Sequence, residues 1–299
     1  MTKRSTDSLG RATFHHIEPE ACVRPTVRER RWFRHIARHG PQSSQLLFEL
    51  TRDTHRCRDS ALRRMTKLRA GGYLMLPRQQ RATERAEFNP YIYDLTKKAE
   101  DHLVDHGLDE RAVRPTGHWW HGYAVSTVSS VIDIAAARDG VRYIPAHEIL
   151  AIRGAELAIP VGRSKLIPDQ LFALDYGGAF RAFALEVDRG TEPKKSSMRR
   201  KSWARSIEQY AEIFEKQLYR SHYGLKANLL ALFVFSTKSD EAKFLEMVQR
   251  SAPATARHIL TQALPVPPEN RPDFNDSRGC IWGTAWRRAN GTDVRISRL

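Results

Sequence analysis

Three acidic side chains, Asp169, Glu186 and Asp188, fall where two strands of one hairpin would bring them together. Gly177-Gly178 is a strong two-residue hairpin signal, because the central positions of such a turn need positive φ. Period-two patterning leads into it over residues 165–175 and out of it over residues 179–188. If Tyr176 pairs with Ala179, Asp169 lies directly across from Glu186, and directly opposed residues share a face of the sheet. Asp188, on the same strand as Glu186 and in phase with it, points to that face too. Like charges so placed repel, and desolvation adds to the cost. A divalent cation removes the conflict, and hard oxygen ligands suit Mg2+ or Mn2+. The alternative is a half-exposed sheet face with solvated acids; a one-residue slip of the turn would spoil the alignment.

The neighbouring segments frame this hairpin. Residues 118–137 read as a long helix burying Tyr123, Val128, Val131, Ile132 and Ala135, followed by shorter segments at 141–144 and 146–152. After the hairpin comes a basic stretch, 189–201. An amphipathic helix follows, with Trp203, Ile207, Tyr210, Phe214 and Leu218 at steps of three and four, and then a buried strand at 227–235.

A second group of residues has a different chemistry. Residues 26–40 predict a helix with Val27, Phe33, Ile36 and Ala37 on one face, stopped at Gly40-Pro41. A short helix from Ser43 or Ser44 carries Leu46, Leu47 and Leu50. A third, over about 54–70, carries Ala61, Leu62, Met65 and Leu68 and ends at Gly71-Gly72. Strands at 73–76 and 91–94 enclose a basic loop, 77–88, and a further helix runs from about 95 to 104. Three short helices and a two-stranded ribbon with a charged tip make the order of a winged helix, whose second and third helices form a helix-turn-helix. On the third helix Arg56, Ser60, Arg63 and Lys67 form one stripe, flanked by Arg64. Such a stripe suits the major groove of duplex DNA, and Arg78, Arg81 and Arg85 in the wing suit phosphates or the minor groove. The competing reading is a solvated helix face on a module that contacts protein.

Charge agrees with a polyanionic partner. Lys and Arg outnumber Asp and Glu by 49 to 34, a formal net charge of +15, and most of that excess lies in the first hundred residues. Cys22, Cys57 and Cys280 make neither a disulfide framework nor a zinc pattern, which fits a reducing compartment. The N-terminus lacks a signal-peptide core, and apolar runs such as 229–235 are too short to span a bilayer, so a soluble, cytoplasmic protein is expected.

Other signals carry less. His35 and His39 are spaced for a metal but are read as the polar face of the first helix. His15-His16, His118 and His121 build no histidine triad, and Trp119-Trp120 is read as a core or interdomain anchor with base stacking as the alternative. No phosphate-binding loop of the ATPase kind is present. The tail has a helix at 240–249, a Pro-rich stretch and a strand-like segment at 279–286, with Trp282 and Trp286 as interface candidates.

Pro168-Asp169 followed by Glu186-Val187-Asp188-Arg189-Gly190-Thr191-Glu192 resembles the PD…ExDrGTE signature of the replication-relaxation proteins of plasmids and other mobile elements. The resemblance covers most of residues 26–237. It implies a mixed α+β or α/β chain: a flexible arm (1–25), a winged helix-turn-helix domain (26–110), and a restriction-endonuclease-like PD-(D/E)xK domain with a C-terminal extension (118–299). It further implies Asp169 and Glu186 as ligands of Mg2+ or Mn2+, with Asp188 standing where many such nucleases have a lysine. Lys201 or Arg205 would supply the missing cation, and Glu148 is a weaker further carboxylate. The function implied is a metal-dependent, relaxase-like endonuclease or nickase. It would act at a specific double-stranded site such as an origin, as a monomer or a homodimer. The rival is a non-catalytic DNA-binding regulator or replication accessory factor built on a degenerate nuclease fold.

Overall fold

The structure, a computed structural model, describes residues 17–82, 90–110, 113, 118–190, 193–194, 201–264 and 280–298. They divide after Glu110 into two compact units, and the fold is mixed α+β.

In the first unit, α1 (Val27–His39) starts where the Thr26 backbone N–H donates to Glu29 Oε2 at 2.7 Å, which satisfies a donor the helix itself cannot. Trp32, Phe33 and Ile36 are buried along it, as are His35 and His39, which therefore do not form a solvated face. Val27, expected in the core, is 71% exposed. About two and a half turns separate it from Ile36, which puts the two on opposite sides of the helix. β1 (Gln42–Ser43) leads into α2 (Ser44–Leu50), where Ser43 Oγ accepts from the Leu46 amide. α3 (Arg58–Ala70) begins four residues later than expected, since Thr51 accepts from the amides of Thr54 and His55 in a turn that precedes it. The Trp32 indole donates to the Leu47 carbonyl at 2.7 Å and stacks on His55, tying α1 to the α2–α3 turn.

β2 (Leu74–Met75), a 3-10 turn (Arg78–Ala82), β3 (Ile92–Leu95) and α4 (Lys97–Asp105) complete the unit. The sheet has the order β1-β3-β2, antiparallel throughout; β1 was not expected, because two residues show no period. Gln80 acts as a substitute peptide group: its side-chain amide donates to the Ile92 carbonyl and accepts from the Ile92 N–H. The N-terminal segment is not a loose arm over its described part. Val23 is buried, and a Cβ on Gly71 would lie 2.6 Å from Val23 Cβ, so only glycine permits that approach.

The second unit runs α5 (Trp119–Arg138), β4 (Arg142–Pro145), α6 (Ala146–Ala151), β5 (Ile159–Val161), β6 (Ser164–Leu166), β7 (Gln170–Asp175), β8 (Phe180–Asp188), α7 (Trp203–Glu215), α8 (Leu218–Tyr223), β9 (Leu229–Phe235), α9 (Lys238–Ser251), β10 (Ile259–Ala263) and α10 (Cys280–Gly283). Its five-stranded sheet has the order β10-β9-β8-β7-β4. β4, β7 and β8 pair antiparallel, while β8, β9 and β10 pair in parallel. Every residue of β9 is buried, as a central strand covered on both faces requires.

Several boundaries differ from expectation. The strand read at 165–175 is two: β6 folds back on β5, and β7 starts only after Pro168, which has no N–H for the ladder. Gln217, at φ 50°, interrupts the helix that starts at Trp203 and assigns Leu218 to α8. Residues 280–283 are a helical turn, not a strand. Trp282 and Trp286 are buried, donating to Asp139 Oδ2 and the Ile281 carbonyl, and form no exposed patch. Among the described residues no helix is long and apolar enough to cross a membrane.

Candidate functional site

The β7–β8 ladder has the register expected from the glycine turn: Asp175 pairs with Phe180 and Gln170 with Leu185. One step further places Asp169 across from Glu186, and the Val187 amide donates to Asp169 Oδ2 at 2.8 Å. Both carboxylates are buried, at 5% and 3% exposure.

Lys201, just before α7, places its ammonium between them. Nζ lies 2.6 Å from Glu186 Oε2 and 3.3 Å from Asp169 Oδ1. The far oxygens are held elsewhere. Tyr210 on α7 donates to Glu186 Oε1 at 2.6 Å, and the Val187 amide holds Asp169 Oδ2. The two remaining oxygens, Oδ1 and Oε2, therefore face one cation. His121, from the first turns of α5, brings Nε2 to 3.0 Å from Asp169 Oδ1.

Burial raises the proton affinity of both acids, but the partners settle them differently. For Asp169, burial is outweighed by Lys201, His121 and the Val187 amide, which hold the carboxyl below the usual aspartate range. For Glu186, burial and the Asp169 charge prevail over Lys201 and Tyr210, and its pKa is pushed up to about 7. Two acids of opposite tendency at one point can hold a cation or divide proton donor and acceptor roles.

Asp188 does not join them. It shares the face of Glu186, but its Oδ2 accepts from the Trp203 indole and its Oδ1 from the Gly190 amide, both at 2.7 Å. Expected as a third ligand, it instead anchors α7 and the turn after β8, because the indole N–H needs a buried acceptor. Of the two cations considered for the site, Lys201 occupies it, whereas Arg205 lies within α7. Glu148 forms an ion pair with Arg142 at 2.6 Å and takes no part.

Sequence reasoning assigned His121 no role and read Tyr210 as a core residue. Tyr210 sits on the buried stripe of α7, so periodicity hides its hydroxyl. Nothing local to His121 shows that α5 reaches Asp169.

On the first unit, Ser60, Arg63 and Lys67 lie on α3, with Ser60 half-buried and the other two exposed, while Arg56 lies before the helix rather than on it. Ser60 Oγ donates to the Cys57 carbonyl in the first turn. Lys67 pairs with Glu20 at 2.9 Å, both about half exposed, an interaction worth little in water. Arg64 is not a surface cation. Its guanidinium is bidentate to the fully buried Glu29 and also donates to the Arg24 carbonyl. Arg78 is exposed on the 3-10 turn. The side chain of Arg81, and all of Arg85 with the wing tip, lie outside the described residues, as do His15 and His16. Trp119 and Trp120 are half-buried and meet edge to face at 4.7 Å, with Trp119 stacked on Tyr123.

A family model described as replication-relaxation matches residues 33–229, a span that includes α3, the β7–β8 hairpin, Lys201 and Tyr210. No curated protein matches the chain significantly, and no solved structure does.

Proposed function

Since this chain belongs to the replication-relaxation family, we propose that it binds DNA of a plasmid or other mobile element through its first unit and cleaves a phosphodiester at Asp169 and Glu186 of its second. The observation that carries the proposal is a pair of buried carboxylates that already hold one cation between them.

The order of α1, β1, α2, α3, β2 and β3, with a β1-β3-β2 sheet, supports reading the first unit as a winged helix. α3 is then the groove-reading helix, with Arg63 and Lys67 on its outer side, Ser60 in its first turn and Arg56 leading in. The acids on an antiparallel hairpin of a mixed sheet covered by helices support the restriction-endonuclease-like reading of the second.

Hard carboxylate oxygens fit Mg2+ or Mn2+. Asp169 Oδ1 and Glu186 Oε2 would hold the ion, and Asp188 would not. Once bound, it supplies charge stabilisation at a phosphate and a water of lowered pKa. The residues of the chain prepare the rest. Tyr210 and the Val187 amide fix the outer oxygens, so the inner ones need no reorganisation. Lys201, at 40% side-chain exposure, is the cation that swings toward a phosphate and offsets the charge that builds as the P–O bond breaks. His121 orients Asp169. The rival reading, a non-catalytic regulator, draws on Asp188, whose commitment to Trp203 leaves only two carboxylates.

Cleavage and binding separate the two readings. With Mg2+ or Mn2+ the protein nicks supercoiled DNA carrying its own origin, and Asp169→Ala or Glu186→Ala removes nicking while leaving retardation of the same DNA in a gel. Plasmid left intact in both metals favours the regulator. The double variant Arg63→Ala and Lys67→Ala weakens binding by roughly tenfold or more, as loss of two groove-side cations should; an unchanged titration curve takes α3 out of the interface.

A further inference from the structure

A second concentration of positive charge lies at the β10 edge of the sheet, apart from the carboxylate pair. A cleft of about 560 Å3 between α9 and the segment after α10 is lined by Arg250, Arg287 and Arg288, with Glu246 an acid among the lining residues. Its floor is fixed by backbone pairing. Arg287 and Thr261 exchange both N–H···O bonds at 2.9 Å, and Trp286 pairs with Val294. Arg287 reaches the buried Glu241, which also accepts from the Thr261 hydroxyl.

Arg288 is the unusual member. Its Nε is buried without a hydrogen-bond partner among the described residues. Burial and the nearby positive charge of Arg181 both press its guanidinium toward the neutral form. A buried guanidinium N–H with no acceptor is costly, and an anion against the part of Arg288 that lines the cleft would offset that cost. The volume lies in the range of ligand sites, and the planar guanidinium suits the oxygens of a phosphate.

We propose that the Arg250–Arg287–Arg288 cleft holds a phosphate of the nucleic-acid backbone, giving the second unit a DNA-binding surface outside the carboxylate site. This rests on the DNA-binding part of the proposed function and is independent of cleavage. Such a phosphate site is blind to base sequence and adds to affinity through counterion release.

The test is anisotropy of a fluorescein-labelled duplex titrated with the full chain in EDTA over a series of KCl concentrations. Arg250→Ala with Arg288→Ala is expected to weaken binding about tenfold and to reduce the slope of log K against log salt by about 0.9, the share of the one phosphate no longer neutralised. The Arg250→Lys, Arg288→Lys pair recovers most of the slope. The Arg63, Lys67 variant loses affinity whether or not the cleft takes part, which keeps the two readings apart. If the double alanine variant fails to fold, Arg250→Glu on the exposed side of α9 is expected to show the same loss. Unchanged affinity and slope in either variant overturns the proposal. So does a cleft variant that binds duplex normally while adenosine monophosphate raises the melting temperature of the parent alone, because a free nucleotide would then be the occupant.

Discussion

Replacing Lys201 with alanine lowers nicking by roughly a hundredfold to a thousandfold, the usual effect of removing a group aimed at developing charge, and destabilises the second unit by about 2 kcal/mol at pH 8. Breaking a buried ion pair costs roughly 3–5 kcal/mol; the lower figure reflects an ammonium that is 40% exposed and screened by solvent. The pH dependence follows from the two acids. Glu186 has a raised pKa, so its contribution is complete below about 4.5 and is lost as pH rises through about 7. Asp169 has a lowered pKa held by Lys201, and its contribution is lost as pH falls through that lowered value. The alanine penalty is therefore largest above pH 7 and shrinks in acid, first as Glu186 takes up its proton and, only below its lowered value, as Asp169 does. Urea unfolding at pH 8 and pH 4 reads it. Mn2+ titrated into the variant should raise its melting temperature more than that of the parent, since the ammonium no longer competes; a hundredfold excess over Kd corresponds to about 2.7 kcal/mol. A flat response to Mn2+ in both proteins would remove the metal from the reading.

Glu29→Ala is expected to cost the first unit about 3–5 kcal/mol, because it leaves the Arg64 guanidinium and the Thr26 amide without their acceptor. Burial raises the Glu29 pKa, but Arg64 and Thr26 outweigh it and hold the group below its ordinary value. A lowered pKa stabilises above about 4.5, and that stability disappears as pH falls through the folded value. The difference between parent and variant should therefore be full at pH 7 and much smaller near pH 3, by denaturant unfolding followed with circular dichroism. An equal difference at both pH values would show that the charge is not what matters at this position.

These two sites mark how far the sequence could be read. The Gly177-Gly178 turn determined the β7–β8 register, because a two-residue loop leaves one pairing, and the register carried Asp169 to Glu186. A shared face did not mean a shared partner: Asp188 is in phase with Glu186, yet the Trp203 indole claims it from beyond the hairpin. Helical periodicity placed Ala61, Met65 and Leu68 in the core but could not separate Arg64 from Arg63, since what distinguishes them is Glu29, distant in sequence. β1 and β10 were missed for different reasons. β1 is too short to show alternation, and β10 groups its apolar and polar residues instead of alternating them and pairs with a parallel strand. His121 was seen and given no role, because only the tertiary path of α5 brings it to Asp169.

The parallel pairing of β8 with β9 has a kinetic side. β8 is complete at Asp188, but the strand that covers its second edge begins only at Leu229, after two helices. Until β9 docks, an apolar strand with unpaired amides is open to other chains. Closing so long a loop before any reward slows the search. Refolding of the second unit from denaturant should accordingly lose yield to aggregation as protein concentration rises, and excess peptide spanning β9 would compete for that open edge.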